Sequence, residues 1–311
     1  MNRIVVTGAA GQIGTEMVAA LRARYGPEAV LATDIRIPEG STDGPFALAD
    51  VTIGDSLDAA VARHRADTIF HLAAILSAVG EQRPQKTYEV NIGGLFNVLE
   101  VARARDCAVF TPSSIAAFGP GTPTDPAPQD TIQRPNTMYG VSKVAGELLC
   151  DYYHHRFGVD TRGVRYPGLV SWRTHPGGGT TDYAVEIYLE AVRTGHYDCF
   201  LSADTQLDMM YMPDAIRAAI ELMEADPGCL RHRNAFNVTA MQVTPASLAE
   251  SIREHLPAFE IAYAVDPVRQ AIADSWPRRI DDSAARQEWG WAPAFDVASM
   301  TADMLANLQT G

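Results

Sequence analysis

The stretch YGVSK sets the phenol of Tyr139 and the ammonium of Lys143 four residues apart. On a helix, that spacing puts both side chains on one face. A phenol with its ordinary pKa of ~10 is too weak an acid to serve as a base at neutral pH. A cation beside it favours the phenolate, so the pair reads as a general base that takes a proton from a hydroxyl group. The oxygen that loses that proton needs a hydrogen-bond donor of its own. The run TPSS at 111–114 offers Ser113 and Ser114, neighbours that point opposite ways on a strand, so that one of them can face a cleft. Exposed helices produce the same spacing without any chemistry. The pair therefore gains meaning from the elements that position it.

Those elements alternate strand and helix. IVVT (4–7) precedes a predicted helix over 12–25, and AVLATD (29–34) reads as the next strand. A helix over 55–64 leads to the strand TIFHLAA (68–74), and a long helix over 84–104 leads to AVFTPSS (108–114). YGVSKVAGELLCDYYHHRF (139–157) is helical and TRGVRY (161–166) is a strand. This rhythm predicts an α/β fold, a Rossmann-type doubly wound parallel sheet covered on both faces. After residue 167 the rhythm breaks up, with a glycine-rich loop PGGGTTD (176–182) and short elements punctuated by Pro213, Pro227, Pro245 and Pro257. The expected division is a nucleotide-binding part over 1–167 and a smaller substrate-binding lobe over 168–311, interdigitated with the first.

TGAAGQIG places Gly8, Gly11 and Gly14 between the first strand and the first helix. Gly8 can make the tight turn, Gly11 lets backbone approach a pyrophosphate, and Gly14 permits close helix–strand packing. The free N–H groups of the helix then face the phosphates. Three glycines can also be a plain packing turn. Asp34, at the end of the second strand and 20 residues after Gly14, is what points to a dinucleotide. Its carboxylate can accept from both ribose hydroxyls and would repel a 2′-phosphate, which predicts NAD rather than NADP. Arg36 argues the other way, since a nearby arginine can hold that phosphate.

Composition narrows the partners. The formal net charge of −13 and pI near 5.0 disfavour nucleic acid and anionic membranes. No apolar run reaches the ~20 residues of a membrane span, and the first strand begins too early to leave room for a signal peptide. Cys107, Cys150, Cys199 and Cys229 form no CxxC and read as reduced thiols of a cytoplasmic protein. The eight histidines include no HExxH, so no metal site is expected.

TGAAGQIG, Asp34, HLAA (71–74), the segment SSIAAFG and YGVSK together resemble the extended short-chain dehydrogenase/reductase superfamily, which includes the sugar-nucleotide epimerases. The resemblance implies Ser114, Tyr139 and Lys143 as the catalytic set, with Tyr139 and Lys143 also contacting the cofactor, Lys143 at the nicotinamide ribose. It implies cofactor contacts from Gly8, Gly11, Gln12, Ile13, Gly14 and Asp34. Asp50 and Val51 would lie beside the adenine, and Leu72, Ala73 and Ala74 along the cofactor. Asn91 would support the site from the long helix, and Tyr166-Pro167 would lay backbone against the nicotinamide. Three further segments, LSAVGE (76–81), PGGGTTDYA (176–184) and SWPRRIDDSAARQEWGW (275–291), with ATDIR at 32–36, are similar to the short-chain NAD-dependent L-threonine 3-dehydrogenases.

That second resemblance implies oxidation of the L-threonine β-hydroxyl to 2-amino-3-ketobutyrate. Substrate contacts would come from Ser77, Ser114, Tyr139, Thr180 and Thr181. Arg173 would aid the carboxylate, Trp276 would help close the pocket, and closure of the 173–182 loop would exclude water. Thr180 and Thr181 can equally be turn-formers, and Trp276 can simply pack. The superfamily's habit of pairing two long helices implies a homodimer, with a stripe of Val98, Val101, Leu148 and Tyr152 suited to the contact, although a buried core explains that stripe equally well. Two rivals stand beside this reading. A nucleotide-sugar epimerase or dehydratase usually carries a larger, more basic C-terminal lobe. A non-catalytic NAD-sensing protein commonly lacks the tyrosine or the lysine.

Overall fold

In the computed structural model, which describes residues 1–37, 43–173 and 179–310, the apolar runs read from the sequence become buried parallel strands. Strand β1 is Ile4–Thr7, buried at every position, as β4 (Thr68–His71) is. Burial on both faces is why these strands are continuous apolar runs and not alternating ones. With β2 (Val30–Asp34), β3 (Phe46–Leu48), β5 (Ala108–Phe110) and β7 (Thr161–Arg162) they form a six-stranded sheet in the order β3-β2-β1-β4-β5-β7, parallel throughout. A short strand β6, Ser113–Ser114, follows β5. Pro112 separates the two, since proline cannot donate to a ladder.

The flanking helices are α1 (Gln12–Tyr25), α2 (Gly54–His64), α3 (Ser77–Gln82), α4 (Pro84–Thr87), α5 (Gly94–Arg105) and α6 (Met138–Phe157). Helix α1 buries Met17, Val18 and Leu21 and stops at Gly26, whose φ of 93° suits a residue without a side chain. Helix α6 starts at Thr137, whose hydroxyl caps the Gly140 N–H, and ends at Gly158 in the left-handed region.

Two further predicted elements are subdivided and one is shortened. The long helix over 84–104 is α4, a π-helical turn at Tyr88–Gly93, and α5. The strand at 68–74 stops at His71. TRGVRY breaks at Gly163, which passes so close to Thr111 that a Cβ would lie 2.4 Å from its carbonyl oxygen. The strand β8 resumes at Val164–Tyr166.

The chain divides into two compact units. The first takes Met1–Ala117, Pro135–Arg165 and Ile216–Phe236; the second takes Phe118–Arg134, Tyr166–Ala215 and Asn237–Gly311. Each is thus built from several stretches of chain. In the second, β9 (Gly168–Val170), β11 (Leu207–Tyr211) and β12 (Met241–Val243) form a mixed three-stranded sheet, and β10 (His196–Cys199) pairs with β13 (Glu260–Tyr263). Helices at Tyr183–Arg193, Pro245–His255 and Val297–Thr310 pack on one another there. Among the described residues no helix is long and apolar enough to cross a membrane.

Candidate functional site

The turn after β1 is shaped by excluded volume. Gly8 has a φ of 69°, and a Cβ on it would stand 2.6 Å from the Ala73 nitrogen. A Cβ on Gly14 would stand 2.1 Å from the Gly8 carbonyl oxygen. At Gly11 the nearest atom would be that same oxygen at 3.2 Å. Gly11 precedes α1, so Gln12 and Ile13 form its first turn with N–H groups free of helical partners.

Asp34, at the end of β2, reaches this turn directly. Its Oδ2 accepts from the Ala10 N–H at 3.0 Å and its Oδ1 from the Ile35 N–H at 2.8 Å. The carboxylate therefore braces the loop as well as presenting acceptor lone pairs beside it. Asp50 is engaged locally, its Oδ1 accepting from the Thr52 N–H and hydroxyl at 2.9 and 2.7 Å. Val51 packs against α5, where a Cβ on Gly94 would meet it at 2.8 Å, and Asn97 donates to its carbonyl at 2.8 Å.

Beyond β4, Leu72 donates its N–H to the Thr7 carbonyl at 3.1 Å, and Leu72, Ala73 and Ala74 then leave the sheet to line a small cavity. The cavity holds about 30 Å³. His71, Asn91, Pro112, Ser113, Ser142, Lys143 and Glu147 also border it. That volume is large enough to admit a water molecule. Asn91 sits in the π-helical turn, a local change of helical phase that aims its amide inward. Its Oδ1 accepts from the Ile75 N–H at 2.8 Å, and its Nδ2 donates to the Ile75 carbonyl and to the Ser142 hydroxyl oxygen, each at 3.0 Å. Ser142 in turn donates to the Tyr139 carbonyl at 2.7 Å. Asn91 thus couples the segment after β4 to the first turn of α6.

Lys143 lies over the Tyr139 ring, its Nζ 5.3 Å from the ring centroid, and donates to the Pro112 carbonyl at 2.7 Å. The spacing read from the sequence has become a shared face on α6. The two serines part as the alternation of a strand requires. Ser113 is buried and donates to the Glu147 carboxylate. Ser114 is half-buried, and its Oγ accepts from the Ala116 N–H at 3.2 Å, which leaves its own proton to give. His71 is fully buried, with Nδ1 2.8 Å from the Thr7 hydroxyl oxygen. Burial first, and the Lys143 charge second, push its pKa down to about 3, so this imidazole is neutral at physiological pH.

The remaining candidates are placed less tellingly. Ser77 opens α3 and is half-buried. In the second unit the Tyr166 ring is buried and its hydroxyl donates to the Ala215 carbonyl at 2.5 Å, leaving only its backbone for a ligand; Pro167 follows at the end of β8. Thr180 is buried, and the Thr181 methyl would lie 2.9 Å from a Cβ on Gly168. The Arg173 guanidinium lies 4.7 Å from the Trp172 ring centroid. Residues 174–178 of the glycine-rich loop lie outside the described residues. Trp276 is buried and lines a second-unit cavity with Thr205 and Gln270.

The choice between a contact stripe and a buried core divides by residue. Val98 and Val101 do not share an outer stripe with Leu148 and Tyr152: both face the core formed with α2 and the sheet, 0% and 6% exposed. Phe96 and Val141 take their place, so that Phe96, Val141, Leu148 and Tyr152 are the exposed large apolar residues of α5 and α6. The sequence reading missed Pro112, Ser142, Glu147 and Arg165. Only Glu147 had a local signal, as the next i+4 step after Tyr139 and Lys143.

The order of the sheet, the glycine turn at its first strand and the carboxylate ending its second define a dinucleotide-binding α/β protein. The residues present fit NAD. Methyl groups at Gly8 and Gly14 would fill the cradle, and Asp34 sets a carboxylate against the same turn. The chain belongs to the NAD dependent epimerase/dehydratase family, which residues 4–238 match. It is 55% identical to an uncharacterized epimerase/dehydratase of Staphylococcus haemolyticus, over 99% of this chain and 98% of that one. Among solved structures it is similar to the L-threonine dehydrogenase from Clostridium difficile, with 52% identity and a TM-score of 0.98, covering 100% of this chain and 98% of the other. It is also similar to the GalE-like L-threonine dehydrogenase from Cupriavidus necator in its holo form. There the identity is 50% and the TM-score 0.96, covering 98% and 99% of the two chains.

Proposed function

We propose that this protein is an NAD-dependent L-threonine 3-dehydrogenase, oxidising the β-hydroxyl of L-threonine to 2-amino-3-ketobutyrate. The observation that carries the reading is whole-length likeness, at half identity or more, to L-threonine dehydrogenases. The Tyr139–Lys143 face on α6 supports an enzyme over a non-catalytic NAD sensor.

NAD, when bound, supplies the hydride acceptor. Gly8, Gly11 and Gly14 admit its pyrophosphate to the backbone at the start of α1, with Gln12 and Ile13 in the first helical turn. Asp34 takes the adenosine ribose, and Asp50 and Val51 the adenine side. Leu72, Ala73, Ala74, Asn91, Tyr166 and Pro167 complete the cofactor contacts. Tyr139 removes the proton from the substrate hydroxyl as the Cβ–H bond breaks. Ser114 donates a hydrogen bond to the same oxygen, and its own oxygen is already turned by the Ala116 N–H. Lys143, tethered to the Pro112 carbonyl, keeps a positive charge beside the phenol. Such positioning needs no rearrangement at the moment of reaction.

Ser77, Ser114, Tyr139, Thr180 and Thr181 are the proposed substrate contacts. Short hydroxyl side chains suit an amino acid better than the long basic ones that grip a nucleotide diphosphate. The 1–167 part carries the cofactor and the 168–311 part mostly the substrate. We assign a homodimer in the cytoplasm. The exposed Phe96, Val141, Leu148 and Tyr152 support the dimer, and free thiols at all four cysteines support a reducing compartment. Sedimentation of the wild type against Leu148→Glu tests the dimer.

The functional test compares NADH formation with L-threonine, L-serine and D-threonine against interconversion of a UDP-sugar on the same preparation. A site built around polar groups leaves them unpaired with the wrong ligand, so L-threonine should lead clearly. Sugar interconversion without threonine oxidation would reverse the assignment.

A further inference from the structure

The face of α6 that carries Tyr139 and Lys143 continues one turn further to Glu147, a residue the chemistry above does not use. Its side chain and that of Arg165 are each 8% exposed. Arg165 grips both carboxylate oxygens, Nε to Oε1 at 3.0 Å and Nη2 to Oε2 at 2.8 Å. Ser113 gives its hydroxyl proton to Oε1. Ser113 stands between two groups of consequence. Pro112 before it holds the Lys143 ammonium through its carbonyl, and Ser114 after it is the donor proposed for the substrate oxygen.

A buried ion pair adds little net stability over apolar side chains of equal volume, so stability alone is a poor account of this one. Its position suggests another. Lys143 and Glu147 are themselves at ion-pair spacing on the helix. Without Arg165, the carboxylate would draw the ammonium away from Pro112 and from the tyrosine.

We propose that Glu147 and Arg165 are positioning residues for the reacting groups. The carboxylate pins Ser113 and, through it, the Pro112 carbonyl and the Ser114 hydroxyl. Arg165 occupies the carboxylate so that Lys143 stays with Pro112 and Tyr139. The proposal rests on the assignment of Tyr139 as base and Lys143 as its cation. Among the described residues, the titratable groups near this part of α6 include His71 from β4, Glu81 from α3, whose carboxylate accepts from the Met138 N–H at 2.6 Å, and Cys150 of α6 itself, whose burial pushes its thiol pKa up. His71 is neutral here, so Arg165 and Glu147 are the charges that differ between the variants below.

The test is the midpoint of tyrosinate formation at this site, read as the absorbance difference between each protein and its matched Tyr139→Phe form. The acid limb of the kcat/KM profile is read in parallel. Arg165→Met removes the guanidinium charge and should raise the midpoint. Glu147→Gln keeps an acceptor for Ser113 but removes the carboxylate charge, and should lower it. Each shift should be about half to one pH unit, the size of one charge acting across two helical turns (~12 Å) at an effective dielectric of ~20. The double variant Glu147→Gln/Arg165→Met is neutral and should return the midpoint to the wild-type value. Shifts of one sign in both single variants, or none in either, would overturn the proposal.

Ser113→Ala removes only the tether, a single hydroxyl, and should fold if the charge variants do not. Its kcat should fall ~10-fold, the scale of one lost hydrogen bond to a charged group, with the KM for NAD unchanged. An unaltered kcat would equally overturn the proposal. Absence of threonine oxidation by the wild type would count against the functional reading alone, because the absorbance titration needs no substrate.

Discussion

The glycine turn after β1 and the polar face of α6 do different work by different means. The turn is made of backbone and empty space: its requirement is that nothing project from Gly8 or Gly14. The α6 face is made of side chains held by other side chains, in a chain of contacts from Asn91 through Ser142 to Tyr139, and from Pro112 to Lys143. A site of the first kind fails by losing its ligand. A site of the second kind can keep its ligand and lose only its rate. His71 joins them, bonded to Thr7 at the end of β1 and facing Lys143 across the cavity.

The largest expected effect belongs to the α6 face. Tyr139→Phe should lower kcat by about 10²–10⁴-fold, the usual share of general-base catalysis, and leave NAD affinity unchanged. A loss of NAD binding of similar size would erase the distinction between the two regions. Gly14→Ala is the opposite probe. Its methyl would stand 2.1 Å from the Gly8 carbonyl, so the turn must shift, and the KM for NAD should rise about 10–100-fold with a smaller change in kcat. Asp34→Ala removes both acceptors from the turn. NAD use should weaken about 10-fold and the preference over NADP should relax. A wild-type protein that works better with NADP would assign the ribose end to Arg36 instead.

The smallest effect is on stability, and it comes from the residue between the two regions. The His71 pKa in the folded chain, about 3, lies below its unfolded value, so the unfolded chain binds more protons as pH falls below ~6.5. Its contribution is therefore complete above that pH and is lost progressively toward pH 3. Between pH 7 and pH 5 this one residue should cost about 2 kcal/mol of unfolding free energy. His71→Gln should remove that part of the slope in denaturant titrations, and an unchanged slope would show the imidazole to be solvated.

How much of this was legible in advance follows from range. Strand runs such as IVVT and TIFH and the glycine spacing are local, and local periodicity plus excluded volume is enough to read them. The Tyr139–Lys143 face was legible for the same reason, being one helical turn. The orientation of Val98 and Val101 was not. An apolar residue on a helix is equally suited to a core and to a partner, and only the packing of α5 against α2 and the sheet decides between them. The π-helical turn that aims Asn91 leaves no mark in the hydrophobic pattern. The partnership of Glu147 with Ser113 and Arg165 joins residues 34 and 18 positions apart, and nothing in the chain between them announces it.

The central claim is that hydride leaves Cβ of L-threonine as Tyr139 takes the hydroxyl proton. L-threonine carrying deuterium at Cβ tests it most directly. Reaction with NAD should give NADH labelled on the nicotinamide ring, a slowed hydride-transfer step in single-turnover measurements, and 2-amino-3-ketobutyrate as product, all lost in Tyr139→Phe. Unlabelled NADH, or label retained in a carbon product other than that ketone, would contradict the account.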